Sequence, residues 1–164
     1  EPDKIKPFAF KNKKKFDAIV VSDYNKGFVT KEVATELSQF AKDSKIPMFV
    51  DSKKEDLSCY EGCIIKVNSS EWKKLKSRPL DCDFVVTLGK EGALLNNVMY
   101  PAMKTEVFDV CGAGDAFLCG LVHSYLKTGD LEDSMWFANR CGAIAVGHFG
   151  TYAITLEDTD VNIC

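Results

Sequence analysis

The chain has 164 residues, a formal net charge of −3, 46% apolar residues and 27% charged residues. Those are ordinary values for a globular protein, and the length is enough for one compact domain with a core of its own over residues 1–164. The near-neutral charge gives no reason to expect nucleic acid or an anionic membrane surface as partner. No apolar run reaches the roughly 18 residues that a transmembrane helix needs.

The local basic cluster Lys11, Lys13, Lys14 and Lys15 reads as a solvated segment ahead of a strand. The first ten residues, Glu1 to Phe10, are charged and punctuated by proline, unlike a signal peptide. The chain opens on Glu1 rather than methionine, as a processed, excised or truncated piece of a longer protein would. Its seven cysteines are odd in number and fit no zinc or disulfide spacing. Cys59 and Cys63 lack the second Cys/His pair that a metal site requires. Free thiols in apolar surroundings fit a reducing, cytoplasmic setting.

In chain order, Phe16–Asp23 is a short apolar run that ends in polar residues, the pattern of a buried strand. After the turn Tyr24–Gly27, Thr30 caps a helix with Val33, Leu37 and Phe40 at helical spacing. Ile46–Asp51, Cys63–Asn68 and Asp83–Gly89 read as three further strands, with a short helix opened by Ser69 or Ser70 and running to Leu75. Strands that alternate with helices predict an α/β fold around a parallel sheet. Ligands in such folds bind beyond the carboxyl ends of the strands, where Asp23, Asp51, Asn68 and Thr87 fall. Alternating stretches around Asn96–Asn97 and Pro101 predict a hairpin or meander within Ala93–Phe108. Two long helical patterns follow, Ala113–Leu126 and Leu131–Val146, separated by Gly129 and the candidate cap Asp130.

The segment Asp109-Val110-Cys111-Gly112-Ala113-Gly114-Asp115 carries the most chemistry. Gly112 and Gly114 permit a sharp turn and a close approach to the backbone just where a helix begins. The first amides of a helix lack internal partners and carry its positive dipole end, so Gly112, Ala113 and Gly114 form a candidate anion hole for phosphate. Asp115 stands at the same place, where a carboxylate can take the proton of an attacking hydroxyl during phosphoryl transfer. No Gly-Lys-Ser/Thr follows, and the turn opens late helices, so neither a Walker loop nor a dinucleotide fingerprint is present.

Asp-x-x-Gly-Ala-Gly-Asp resembles the C-terminal signature of PfkB-type, ribokinase-like carbohydrate kinases. Asn68-Ser69-Ser70-Glu71 is similar to that family's Asn-x-x-Glu motif, Val86-Thr87-Leu88-Gly89-Lys90-Glu91-Gly92 to its Thr-x-Gly nucleotide strand, and Phe137-Ala138-Asn139-Arg140 through Gly150-Thr151 to its final helix. These pieces occur in the family's order and span nearly the whole chain from Phe16 onward. Ser22-Asp23-Tyr24-Asn25-Lys26-Gly27 and Val50-Asp51-Ser52-Lys53 resemble segments of the heptose 7-phosphate kinase branch, with Ser52 in place of that branch's proline. Cys111 stands where the family has Thr or Ser, and Cys119 where it has a still smaller residue.

The resemblance implies a three-layer α/β/α fold with a mainly parallel central sheet, of which the N-terminal part and lid are missing from this chain. It implies ATP-dependent phosphoryl transfer to a sugar or sugar-phosphate hydroxyl, with Asp115 as general base over the anion hole of Gly112, Ala113 and Gly114. Asn68 and Glu71 would organise Mg2+, while Thr87, Gly89, Asn68 and Asn139 would border the nucleotide. Lys26 and Lys53, each just past a strand end, are placed to meet phosphates of the substrates. His123 and His148 lie in apolar stretches and read as packing residues. Two other readings stand beside the enzyme: a module that binds nucleotide without turnover, and an interaction fragment that pairs with itself as a homo-oligomer or with a separate N-terminal half.

Overall fold

The computed structural model describes residues 16–160, so the basic cluster at Lys11–Lys15 and Cys164 lie outside the described residues. The described chain divides into two compact units between Phe84 and Val85.

In the first unit, β1 (Ile19–Asp23), β2 (Met48–Ser52) and β3 (Ile64–Asn68) form a parallel ladder. Ile19 stands opposite Met48 and Asp23 opposite Ser52, and Phe49 opposite Ile64. The strands start later than the apolar runs suggest. Pro47 has no N–H to give, but its carbonyl accepts from the Ile19 amide (2.9 Å), so the ladder opens just beyond it. Every residue of β2 is buried, as expected for a strand covered on both faces. Phe49, Val50, Ile65, Val67, Leu57 and Tyr60 are wholly removed from solvent and make the core of this unit.

α1 (Lys31–Ser44) starts where predicted. The Thr30 hydroxyl accepts from the Val33 amide (3.3 Å), and Lys45 ends the helix in the left-handed region. Its buried stripe differs from the expected one. Ala34, Ser38 and Ala41 face inward, while Val33, Leu37 and Phe40 are only half-buried. Small residues let the helix come close, and Ser38 satisfies its hydroxyl there by donating to the Ala34 and Cys59 carbonyls (3.0 and 3.1 Å). α2 (Ser69–Lys74) follows β3 without a linker.

β4 (Asp83–Thr87) crosses the division between the units. The second unit then runs as an antiparallel meander of β4, β5 (Gly92–Leu95) and β6 (Val98–Pro101), with Val85 opposite Leu95 and Leu95 opposite Val98. The predicted hairpin is there: Asn96 and Asn97 both take positive φ (48° and 73°), the signature of a two-residue primed turn. β4 ends at Thr87 rather than Gly89, because Gly89 turns left-handed (φ 61°) and opens a single 3-10 turn, Gly89–Glu91. α3 (Ala113–Thr128) and α4 (Leu131–Val146) pack against each other, and α5 (Leu156–Asp160) closes the described chain. The Asp130 carboxylate caps α4 by accepting from the Glu132 and Asp133 amides (2.8 and 3.1 Å). At Gly120 the two helices approach so closely that a Cβ would lie 2.7 Å from the Cys141 sulfur. No helix among the described residues is long and apolar enough to cross a membrane.

Candidate active site

In the second unit the turn before α3 is built as its sequence suggests. Gly112 takes the left-handed conformation (φ 77°) as N-cap of α3, and a Cβ there would press to 3.1 Å from the Thr151 methyl. Asp109 fixes the turn from below. Its Oδ1 accepts from the Cys111 amide (2.9 Å) and its Oδ2 from the Gly150 amide (3.0 Å), which ties the turn to the segment after α4. Those two N–H donors hold the Asp109 carboxyl below the usual carboxylate range. The Ala113 amide donates to the Val110 carbonyl (3.3 Å).

Asp115 lies exposed in the first turn of α3. It lines a cavity of about 470 Å³ together with Gly112, Cys119, His123, Phe137 and Thr151. Asp115, Cys119 and His123 follow one another at four-residue spacing, so one stripe of α3 walls the cavity. His123 stacks on Phe137 (centroids 5.7 Å), in keeping with a packing residue, whereas exposed His148 stacks on Tyr152 (3.6 Å). The exposed Cys111 sulfur sits 3.6 Å from the Thr151 hydroxyl.

The remaining predicted residues of this unit are placed differently from one another. Thr87 is half-buried at the end of β4, paired with Ala93, and Gly89 is exposed in the next turn. Asn139 is buried inside α4, and its side-chain amide donates to the carbonyls of Tyr100 and Pro101 (2.9 and 3.3 Å). It therefore ties α4 to the end of β6, and it does not line the cavity of Asp115.

In the first unit the polar strand ends carry two linked charge clusters. At the end of β1, buried Asp23 accepts from the Tyr60 hydroxyl (2.9 Å), the Ser52 hydroxyl (3.1 Å) and the Asn25 amide (2.9 Å), and pairs with Lys54. At the ends of β2 and β3, buried Lys66 meets Asp51 Oδ2 (2.7 Å), and Lys53 bridges Asp51 Oδ1 (3.2 Å) and Glu71 Oε1 (2.7 Å). Burial works against the Lys53 ammonium, but Glu71 and Asp51 outweigh it, and its pKa is raised. Asn68 and Glu71 form a reciprocal capping box at the start of α2: the Glu71 amide donates to Asn68 Oδ1 (2.9 Å), and the Asn68 amide to Glu71 Oε2 (2.8 Å). So Lys53, Asn68 and Glu71 stand together, while Lys26 is exposed in the turn after β1. Among the described residues no group of three acidic, His or Cys side chains is arranged to hold a metal ion by itself.

Sequence reasoning assigned no part to Asp109, Lys66 or Lys54. Lys66 carried a signal all the same: a lysine inside the apolar run Cys63–Asn68 must find a carboxylate, and Asp51 on the neighbouring strand supplies it.

Comparison with known proteins agrees with this architecture. The chain belongs to the pfkB family of carbohydrate kinases, whose profile matches residues 5–159. It is 34% identical over 170 residues to the bifunctional protein HldE of a Nitratiruptor species, covering 90% of this chain and 36% of that protein. It is 31% identical to the bifunctional protein HldE of a Marinomonas species, covering 89% and 35%. Among solved structures it is similar to phosphofructokinase-2 from Escherichia coli in complex with potassium (TM-score 0.73, 24% identity, 86% of this chain and 54% of that one). It is also similar to Arabidopsis thaliana ribokinase complexed with ribose and ATP (TM-score 0.74, 15% identity, 89% and 55%). These likenesses give the fold: ribokinase-like α/β with a mainly parallel sheet and covering helices. The chain spans about a third of the length of these curated relatives and about half of these solved chains.

Proposed function

We propose that this chain serves ATP-dependent phosphoryl transfer to a hydroxyl of a sugar or sugar phosphate, with heptose 7-phosphate as the acceptor favoured by the resemblance of Ser22–Gly27 and Val50–Lys53 to the heptose 7-phosphate kinase branch. The observation that carries the reading is the exposed carboxylate of Asp115 in the first turn of α3, just after the left-handed Gly112 and open to a cavity. The acceptor oxygen attacks the γ-phosphorus, its proton passes to the Asp115 carboxylate, and ADP leaves. Charge on the moving phosphoryl group meets the α3 N-terminus, where the Gly114 and Asp115 amides have no helical partner of their own. The Ala113 amide already donates to Val110, so Ala113 and Gly112 act by shaping the turn. Thr87, Gly89 and Asn139 border the nucleotide; Asn139 does so through the Tyr100 and Pro101 backbone that it holds.

In the first unit, Asn68 and Glu71 are the residues for Mg2+, and Lys53 and Lys26 those for substrate phosphates. Both Glu71 oxygens already have a partner, which fits contact with a hydrated ion carried on ATP phosphates better than an all-protein cage. When bound, Mg2+ would neutralise phosphate charge. Lys53 would exchange Glu71 for phosphate oxygen.

Calorimetric titration with Mg-ATP, followed by an ADP-release assay with heptose 7-phosphate, tests the proposal. Binding with sugar-dependent turnover supports it. Binding without turnover supports the alternative of a nucleotide-binding module that needs a partner half. No binding in either format overturns both. In a protein that turns over, Asp115→Asn is expected to lower kcat by about 10²–10⁴-fold while leaving nucleotide affinity intact. Equal loss of both would remove Asp115 from the role of base.

A further inference from the structure

Cys63 and Cys82 are nineteen positions apart in the sequence, yet they stand side by side in the first unit. Cys63 immediately precedes β3 and Cys82 immediately precedes β4. The Asp83 amide donates to the Cys63 carbonyl (3.2 Å), a bond that joins the starts of these neighbouring strands. The Gly62 amide donates to the Asp81 carbonyl (2.8 Å), so the two bonds flank the cysteines, and chain segments so joined run about 4.8 Å apart, inside the roughly 4.4–6.8 Å Cα window of a disulfide. A second observation agrees: the Cys82 thiol donates to the Tyr60 carbonyl (2.9 Å) and the Cys63 thiol to the Glu61 carbonyl (3.5 Å), so both sulfurs lie against adjacent residues of the same turn. Both thiols are free in the structure.

We infer that Cys63 and Cys82 are a redox pair that closes into a cross-strand disulfide. Cys82 is half-exposed and Cys63 only 2% exposed, so Cys82 reacts first. Burial pushes both thiols up, Cys63 to about 11, so exposure sets the order of the two steps. With a small disulfide such as glutathione disulfide, the Cys82 thiolate attacks one sulfur and expels one glutathione thiolate. The Cys63 thiolate then attacks the Cys82 sulfur of the mixed disulfide and expels the second glutathione. The two protein protons end on the two glutathione thiolates, so the protein loses two electrons and the small disulfide gains them.

The bond would brace the segment between the two cysteines, which carries Lys66, Asn68 and Glu71, at both of its feet. It would form at the opposite end of β3 from Asn68, five residues or about 16 Å away. Oxidation is therefore expected to stabilise the first unit and to leave the polar cluster at Asn68 in place.

The test is peptide mapping of the whole protein after incubation with glutathione disulfide and alkylation of remaining thiols. The expected product is a peptide pair joined through Cys63 and Cys82, lighter than the two thiols by about 2 Da, with an unfolding midpoint that rises and falls back on reduction. Cys63→Ser is expected to stop at a glutathione adduct on Cys82, a gain of about 305 Da on that peptide. Wild-type protein in which Cys63 and Cys82 both remain alkylated, in which Cys82 joins Cys59, or in which the glutathione adduct on Cys82 persists would overturn the pair.

Discussion

At the scale of single residues, two glycines do work that no other residue can. Gly92 opens β5 with φ 111°, and a Cβ there would sit 2.2 Å from the Tyr100 carbonyl oxygen and 2.5 Å from the Ala102 nitrogen, both backbone atoms that cannot turn away. Gly92→Ala is expected to cost more than about 3 kcal/mol, read as a lowered urea midpoint, because it adds strain to a clash inside the meander. Gly112 is gentler, since its neighbour is the methyl end of Thr151 at 3.1 Å. Gly112→Ala together with Thr151→Ser separates the two penalties: the double variant recovers the part due to contact and keeps the part due to positive φ. The left-handed turn at Gly112 and the place of Asp115 in the first turn of α3 were legible from sequence because a small-residue run that opens a helix has a local geometry of its own. Asp109 was visible only as a letter of the motif, since its work depends on Gly150, forty-one positions away, which only the fold brings within 3.0 Å.

At the scale of elements, helix starts were the readable part. Thr30 and Asp130 cap α1 and α4 as predicted, because N-cap chemistry is local. The buried face of α1 was not, because tertiary approach selected Ala34, Ser38 and Ala41 over the larger apolar residues beside them. α2 poses a sharper question, since the capping box of Asn68 and Glu71 explains both residues without any ligand. Asn68→Ala is expected to destabilise α2 by about 1 kcal/mol, read by hydrogen exchange of its amides. Asn68→Ser restores a good cap but shortens the side chain. If Asn68 also serves the nucleotide, the serine variant recovers stability and not Mg-ATP affinity. Recovery of both would reduce Asn68 to a cap. Gly120 supplies the test of the α3–α4 contact. Gly120→Ala drives a methyl onto Cys141 and Ala138 and is expected to cost about 1–3 kcal/mol in denaturant unfolding.

At the scale of the whole molecule, acid stability should report the network around Asp23. Burial opposes ionisation of this carboxyl, but Lys54, the Asn25 amide and the Tyr60 hydroxyl together outweigh it, and its pKa is lowered from the usual value. Tyr60 itself is pushed upward by burial and by Asp23, so it stays a donor at every pH of interest. A depressed carboxylate contributes stability that is fully present above the ordinary carboxylate pKa of about 4 and is lost as pH falls through the lower folded value. Stability should therefore hold from neutral pH down to about 5 and decline below about 4. Asp23→Asn removes the charge and leaves Lys54 without its carboxylate, a loss of about 3 kcal/mol at neutral pH. Protonation does much the same to the native residue, so the gap between wild type and variant should close as the pH is lowered towards 2, in urea titrations run at matched ionic strength. A gap that stays constant over that range would mean that Asp23 acts by shape alone and that the acid limb belongs to other carboxylates, of which Asp109 and Asp158 are also depressed but lie at more exposed positions.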